Sequence, residues 1–317
     1  MTIQKKILVL VDGSERSNRT VNYVKDFLPV DENLKIVLFH VFKGLPEEYP
    51  EIDKDQRSAN SARQLKDLET RQEKRIHTYL EQMKNNLIIA GFSDRQVEIK
   101  FQPLKEGVAR DIIHEARKGY SAVVMSRRGT AMALQSIILG SVAVKLLQSI
   151  SFIPTIFVGP APPVKKILLA VDASPASMKA VEFVASFLSG NGYEVCIIHV
   201  ILGLGGVNFE ESESDAPELS DNMPDNGIES FKSEVQRLFQ NIKETLAASG
   251  FDPEKISEKI VSGAYSRSDT IVREAEDGGC STIVVGRRGL SKVEAFFMGR
   301  VGHKVVYGGK HFSVWVV

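Results

Sequence analysis

Short apolar runs alternate with long amphipathic stretches along this chain. Residues 7–11 and 167–171 consist entirely of hydrophobic side chains, a pattern typical of central parallel strands that are covered on both faces. Residues 62–90 and 228–249 place hydrophobic residues at helical spacing, and a glycine follows each stretch, which indicates amphipathic helices that end at a glycine. The alternation predicts an α/β fold with a parallel sheet.

The same pattern occurs twice. The segment KILVLVDGS at residues 6–14 recurs as KILLAVDAS at residues 166–174, an offset of 160. A His-Val pair and a late glycine-containing loop follow in the same order in both halves, and residues 152–158 align with residues 311–317. Self-similarity over such a period indicates a duplicated structural unit.

The ends of the repeat define two domains. Residues 159–163 read GPAPP and form a short stiff linker, so the predicted domains are residues 1–159 and residues 164–317. Each domain is predicted to contain five strands joined by helices, and such a succession gives a doubly wound parallel sheet with right-handed crossovers. The predicted strands are residues 7–11, 35–41, 97–101, 122–125 and 155–158, and residues 167–171, 194–200, 256–261, 282–285 and 314–317.

Charge and cysteine content exclude several classes of protein. The chain has 40 Lys plus Arg and 40 Asp plus Glu, so it lacks the excess of cations that general nucleic-acid binding requires. Cys196 and Cys280 are too few for a disulfide scaffold and have no zinc-ligand spacing. The first apolar run is interrupted at Asp12, too early for a signal peptide or a membrane span, so we expect a cytoplasmic protein without membrane association.

Two loops in each domain are candidates for ligand binding, because ligands of doubly wound sheets bind outside the carboxyl ends of the strands. One loop follows the first strand and carries Asp12 or Asp172, whose carboxylate can accept from a ribose hydroxyl or a base amine. The other follows the fourth strand and contains two adjacent arginines and a glycine, where backbone N–H groups and positive charge favour an anion. Two helix N-termini that can hold phosphate come next, at Gly140-Ser141 and Gly299-Arg300.

The same residues have simpler interpretations. Both aspartates can cap the turn that follows the first strand, and the loop glycines Gly129 and Gly289 can serve tight turns with positive φ. The paired arginines can be solvated surface charges. His40 and His199 lie beside apolar strand residues and are interpreted as structural histidines rather than metal ligands.

This set of residues resembles that of a tandem member of the universal stress protein family. Domains of that family have a strand, an aspartate loop, a His-Val pair at the end of the second strand, and a late Gly-x2-Gly-x9-Gly-[Ser/Thr] motif. The resemblance covers nearly the whole chain. It implies that the aspartate and the valine hold adenosine, and that the glycines and the hydroxyl hold the phosphates of ATP, with or without Mg²⁺. The implied adenosine contacts are Asp12, Val41, Asp172 and Val200.

Both phosphate motifs depart from the family pattern. The second domain keeps the spacing but has an arginine in place of the hydroxyl residue, in the set Gly286, Gly289, Gly299 and Arg300. The first domain keeps the last glycine and the hydroxyl but has a serine at the first position and one extra residue in the spacing, in the set Ser126, Gly129, Gly140 and Ser141. Arg300 can bind a phosphate bidentately or fill the pocket. We expect ATP in at least one domain and favour the second on spacing.

The resemblance also implies how the domains pair. Single-domain relatives dimerise through the fifth strand. Strands 155–158 and 314–317 are unusually apolar, and apolar edge strands invite aggregation unless they are covered. The expected fold is therefore two tandem doubly wound five-stranded sheets of strand order 3-2-1-4-5. They are expected to pair through their fifth strands as a pseudo-twofold internal dimer, with a further homodimer of the whole chain left open.

Three functions follow from these observations. The leading one is a stress-response sensor that binds adenine nucleotide and signals through an unidentified protein partner. Its rival is a nucleotide-free interaction module with degenerate pockets, whose acidic segment 210–225 docks a partner. A slow ATPase ranks below both, because the chain has no P-loop, nucleophile elbow or His-Glu-x-x-His pair. No metal site is expected.

Overall fold

The computed structural model describes residues 5–44, 59–128, 139–190, 192–203, 225–288 and 299–317. The chain divides into two compact units, one of Met1–Asp26 with Val30–Leu147 and one of Phe27–Pro29 with Gln148–Val317. Two of the candidate glycines, Gly129 and Gly289, lie outside the described residues, as does the acidic segment 210–225 apart from its last residue.

The first unit alternates strands and helices as the sequence predicts. Four strands are parallel in the order β3-β2-β1-β4. Its elements are β1 (Lys5–Leu10), α1 (Glu15–Phe27), β2 (Leu34–Phe42), α2 (Ala59–Ile89), a 3-10 turn (Asp94–Gln96), β3 (Val97–Pro103), α3 (Val108–Ala116), β4 (Ala122–Ser126) and α4 (Ser141–Ser149).

The second unit repeats this arrangement and includes one further strand, β5. Its strand order is β5-β10-β9-β6-β7-β8, parallel throughout except for β5, which is antiparallel to β10. Its elements are β5 (Thr155–Val158), β6 (Lys166–Ala170), α5 (Pro175–Leu188), β7 (Glu194–Leu202), α6 (Asp225–Ala248), a 3-10 turn (Pro253–Lys255), β8 (Ile256–Ala264), α7 (Arg267–Asp277), β9 (Thr282–Val285), α8 (Arg300–Gly308) and β10 (Ser313–Val316).

The apolar runs at residues 7–11 and 167–171 correspond to the central strands of the two units. The middle residues of β1 and β6 are fully buried, as expected for strands covered on both faces. Helix α5 begins where the sequence predicts, because the Ser174 hydroxyl accepts the Ser177 N–H at 3.2 Å and Pro175 occupies the first turn. These local signals place the loops that carry the candidate site at the carboxyl ends of the strands.

The predicted α/β fold with a mainly parallel sheet is confirmed. The predicted strand 155–158 is β5, and it pairs with β10 so that Phe157 lies opposite Val314. β5 belongs to the second compact unit, which contributes six strands, β5 to β10. Among the described residues, no helix is long and apolar enough to cross a membrane.

Candidate functional site

The loop after β6 is organised around Asp172. Its Oδ1 accepts the N–H of Ser174 at 3.0 Å, and the hydroxyl of Ser177 donates to its backbone oxygen at 2.5 Å. The carboxylate therefore caps the turn, as the simpler interpretation proposed. Within the described parts of the chain Oδ1 alone accepts a hydrogen bond, and the side chain is only half-buried. The other carboxylate oxygen can accept from a ligand.

The equivalent loop of the first unit is bonded differently. Asp12 Oδ1 accepts both the N–H of Ser14 at 3.0 Å and its hydroxyl at 2.6 Å. Helix α2 packs on this loop, because a Cβ at Gly13 would lie 2.9 Å from Ile76 Cδ1. The hydroxyl of Tyr79, also on α2, lies 3.1 Å from that of Ser17 at the start of α1. Asp12 is thus held by its own loop more fully than Asp172.

The loop after β9 lies against the first turn of α5. A Cβ at Gly286 would lie 2.9 Å from the carbonyl carbon of Ala176 and 3.0 Å from the nitrogen of Ser177, distances that only a glycine allows. The hydroxyl of Ser174 also lies 3.4 Å from the Arg288 carbonyl, to which it donates. The loops after the first and fourth strands of this repeat are therefore in direct contact.

Helix α8 begins at the far end of the same loop. Gly299 is its N-cap, and the Gly299 N–H donates to the Arg287 carbonyl at 2.7 Å. Arg300, the first residue of the helix, is exposed. A helix N-terminus with an adjacent exposed cation attracts anions.

The first unit has the same helix start with a different loop before it. The Gly140 N–H donates to the Arg127 carbonyl at 2.8 Å, which matches the bond made by Gly299. Ser126, however, donates its hydroxyl to the Arg128 carbonyl at 2.6 Å. The Ser126 hydroxyl therefore makes its hydrogen bond within its own loop. Ser141 is exposed at the first position of α4.

The two arginines of each pair have different environments, although the sequence treats them alike. Arg127 is 6% exposed and Arg287 is 7% exposed, whereas Arg288 is exposed. The guanidinium of Arg287 donates to the Ile150 carbonyl, and burial lowers the pKa of both buried arginines to about 10. Both keep their charge at neutral pH. The guanidinium of Arg287 is buried and bonded within the protein, so the exposed Arg288 is the arginine of this pair that is available to an anion.

The valines of the two His-Val pairs are buried near the ends of β2 and β7, with Val41 8% and Val200 7% exposed. His40 Nδ1 lies 2.7 Å from the Val11 carbonyl, and His199 Nδ1 lies 2.9 Å from the Val171 carbonyl. Burial lowers the pKa of both histidines. In the described part of the chain no group of three His, Cys, Asp or Glu side chains could hold a metal.

Comparison with known proteins matches both halves of the chain to one family. The model of the universal stress protein family matches residues 4–157 and again residues 163–317. A universal stress protein of Bacillus subtilis is 30% identical over 140 residues, covering 44% of this chain and 90% of the relative. One of Methanocaldococcus jannaschii is 29% identical over 158 residues, covering 45% of this chain and 88% of the relative.

A solved structure extends the likeness to the whole chain. A universal stress protein from Archaeoglobus fulgidus has a TM-score of 0.63 at 20% identity and covers 99% of this chain and 98% of its own. At that identity the likeness concerns the fold alone. The family model supplies the assignment, because its two matches together span nearly all of the sequence.

Proposed function

The chain belongs to the universal stress protein family, and from this membership and the site geometry we propose that it binds ATP in its second half and acts as a cytoplasmic stress sensor. The supporting observation is the contact between two loops. Gly286 lies against the first turn of α5, and Ser174 bonds to Arg288. This contact, with the hydrogen bond from the Gly299 N–H to the Arg287 carbonyl, supports a single site that includes the Asp172 carboxylate and the start of α8.

Each group has a role that suits its chemistry. The second oxygen of Asp172 accepts from the ribose, and Val200 contributes an apolar contact to the adenosine. The phosphates bind at the N-terminus of α8, where the backbone dipole favours negative charge and the exposed Arg300 adds a cation. Mg²⁺ would then be held mainly by the phosphates, as is usual for this ion.

The domain organisation is part of the same proposal. We assign residues 1–159 and residues 164–317 to two domains of strand order 3-2-1-4-5, paired through β5 and β10 as a pseudo-twofold internal dimer. The antiparallel register of β5 and β10, with Trp315 opposite Ile156, supports this pairing. Nucleotide binding would signal by changing the surface offered to a protein partner.

Mass spectrometry of the ligand released from purified, denatured protein tests the proposal first. Calorimetric titration of ATP, with and without Mg²⁺, follows. We expect carried adenine nucleotide, or saturable binding of one ATP per chain. Neither a carried nucleotide nor heat of binding would contradict ATP binding and favour the nucleotide-free interaction module, and steady release of phosphate would favour the slow ATPase.

A further inference from the structure

The histidine of each His-Val pair lies just past the end of a strand ladder. In the second unit, the register between β6 and β7 ends at Ala170 opposite Ile198, and the Val171 N–H donates to the Ile198 carbonyl at 2.9 Å. Strand β6 stops there, but β7 continues to Leu202. The next residue of β7 is His199, and its side-chain Nδ1 lies 2.9 Å from the Val171 carbonyl oxygen.

The first unit has the same arrangement. Its register ends at Leu10 opposite Phe39, the Val11 N–H donates to the Phe39 carbonyl at 3.0 Å, and His40 Nδ1 lies 2.7 Å from the Val11 carbonyl. The surroundings of the two rings differ. His40 stacks on Phe101 of β3 at 5.8 Å.

In the second half the corresponding β8 residue is Ile260, opposite His199. The residue opposite the histidine is therefore aromatic in one half and aliphatic in the other, while the hydrogen bond occurs in both. The hydrogen bond is the feature that the two halves share.

The chemistry of the two atoms determines the direction of this hydrogen bond. A carbonyl oxygen only accepts, so the ring nitrogen must carry a hydrogen and donate it. Burial lowers the pKa of His199, which favours the neutral ring at pH 7. The neutral ring is then the Nδ1–H tautomer. In the other tautomer the lone pair of Nδ1 would face a lone pair of the Val171 carbonyl oxygen.

This hydrogen bond joins the two strands next to the proposed adenosine site. Asp172 directly follows the accepting residue, and Val200 directly follows the donating one. We propose that His199 is a positioning residue that fixes the separation of Asp172 and Val200 by donating from Nδ1 to the Val171 carbonyl. This inference rests on the proposed ATP site. His40 makes the same bond between the strands that carry Asp12 and Val41.

The tautomer can be measured without nucleotide. Long-range ¹H–¹⁵N correlation spectra of the uniformly labelled full-length chain at pH 7.5 distinguish a protonated from an unprotonated ring nitrogen. The His199 signal is assigned by its loss in the His199→Asn variant. We expect a protonated Nδ1 and an unprotonated Nε2. A protonated Nε2 with a bare Nδ1 would overturn the proposal.

Two variants of the same position then test the positioning role. In His199→Asn the side-chain amide can still donate to the carbonyl, whereas His199→Leu has no donor and leaves the acceptor unpaired. We expect an ATP Kd within about threefold of the parent for the asparagine variant and at least about tenfold weaker for the leucine variant. His114→Leu, on the exposed surface of α3, controls for loss of a histidine.

The outcomes separate this inference from the proposed function. A parent chain that binds no ATP overturns the proposed function, while the ring tautomer still decides the hydrogen bond. If the parent binds ATP, two outcomes overturn the positioning role. Either both variants keep the affinity of the parent for ATP, or both lose it to the same extent. Should the leucine variant fail to fold, the asparagine variant decides, because a loss there of about tenfold contradicts rescue by a retained donor.

Discussion

Glu115 of α3 is a carboxylate that is 2% exposed yet charged, because three neighbours donate to it. Lys100 lies 2.7 Å away, the Tyr120 hydroxyl 2.7 Å and Lys118 3.0 Å. Burial alone would raise the pKa of Glu115, but these donors outweigh it and lower the pKa from 4.5 to about 2. Burial, together with the hydrogen bond to Glu115, raises the pKa of Tyr120. The sequence does not identify Lys100 as a partner, because it lies on β3, 15 residues before Glu115.

Glu115→Gln is expected to lower the free energy of unfolding by about 2 kcal/mol at pH 7, since a buried ionic acceptor is lost while its donors remain. The pKa of the folded state lies below its ordinary value. The stabilisation is therefore complete above pH 4.5 and is lost as the pH falls towards about 2. Urea unfolding of parent and variant at pH 7 and at pH 3 measures this.

The second half provides a matched control. Glu274 of α7 accepts from Lys259 at 2.5 Å, and Lys259 is half-exposed. Solvent screens such a pair, so Glu274→Gln should destabilise the chain less than Glu115→Gln. Equal losses in the two variants, or a Glu115 effect that does not change with pH, would contradict this account.

At the scale of elements, the sequence predicts the strands and helix starts but not how equivalent loops are bonded. Ser14 and Ser174 occupy the same place in the repeat, and each hydroxyl accepts the N–H of the serine three residues later. Ser14 also donates to Asp12, whereas Ser174 donates to Arg288. The acceptor of the Ser174 hydroxyl lies in the loop after β9, which is distant in sequence, so no local pattern could have indicated the difference.

The two serines give a prediction at this scale. Ser14→Ala and Ser174→Ala should each lower the free energy of unfolding by about 1 kcal/mol through loss of a helix cap. The Ser174 variant should also weaken ATP binding, because it removes the bond between the two loops of the proposed site. Thermal unfolding and calorimetric titration of both variants measure these effects. An unchanged ATP affinity in Ser174→Ala would show that the contact between the loops does not support the site.

At the scale of the whole molecule, the repeat predicts two α/β units and their last strands, but not the packing around those strands. Trp315 of β10 is fully buried and meets Phe183 and Phe187 edge-on at 5.6 and 5.8 Å. Gly159 is equally constrained, because a Cβ there would lie 2.3 Å from the Phe312 carbonyl oxygen. The sequence shows an apolar strand and a linker glycine. Only the fold shows which rings pack on Trp315 and which backbone atoms lie against Gly159.

Separating the halves tests the proposed pairing of β5 and β10. Chains of residues 1–159 and 164–317, purified alone, should each self-associate, because an apolar edge strand is uncovered. When mixed, they should form a one-to-one complex with the mass of the intact chain. Analytical ultracentrifugation measures both. Halves that stay monomeric at high concentration and do not bind each other would contradict the pairing.

We propose that ATP binds at Asp172 rather than at Asp12. Calorimetric titration of ATP into the parent, Asp172→Asn and Asp12→Asn tests it most directly. We expect one ATP per parent chain, an affinity at least about tenfold weaker in Asp172→Asn, and parent affinity in Asp12→Asn. Two sites per chain, or loss of binding in Asp12→Asn with normal binding in Asp172→Asn, would contradict it.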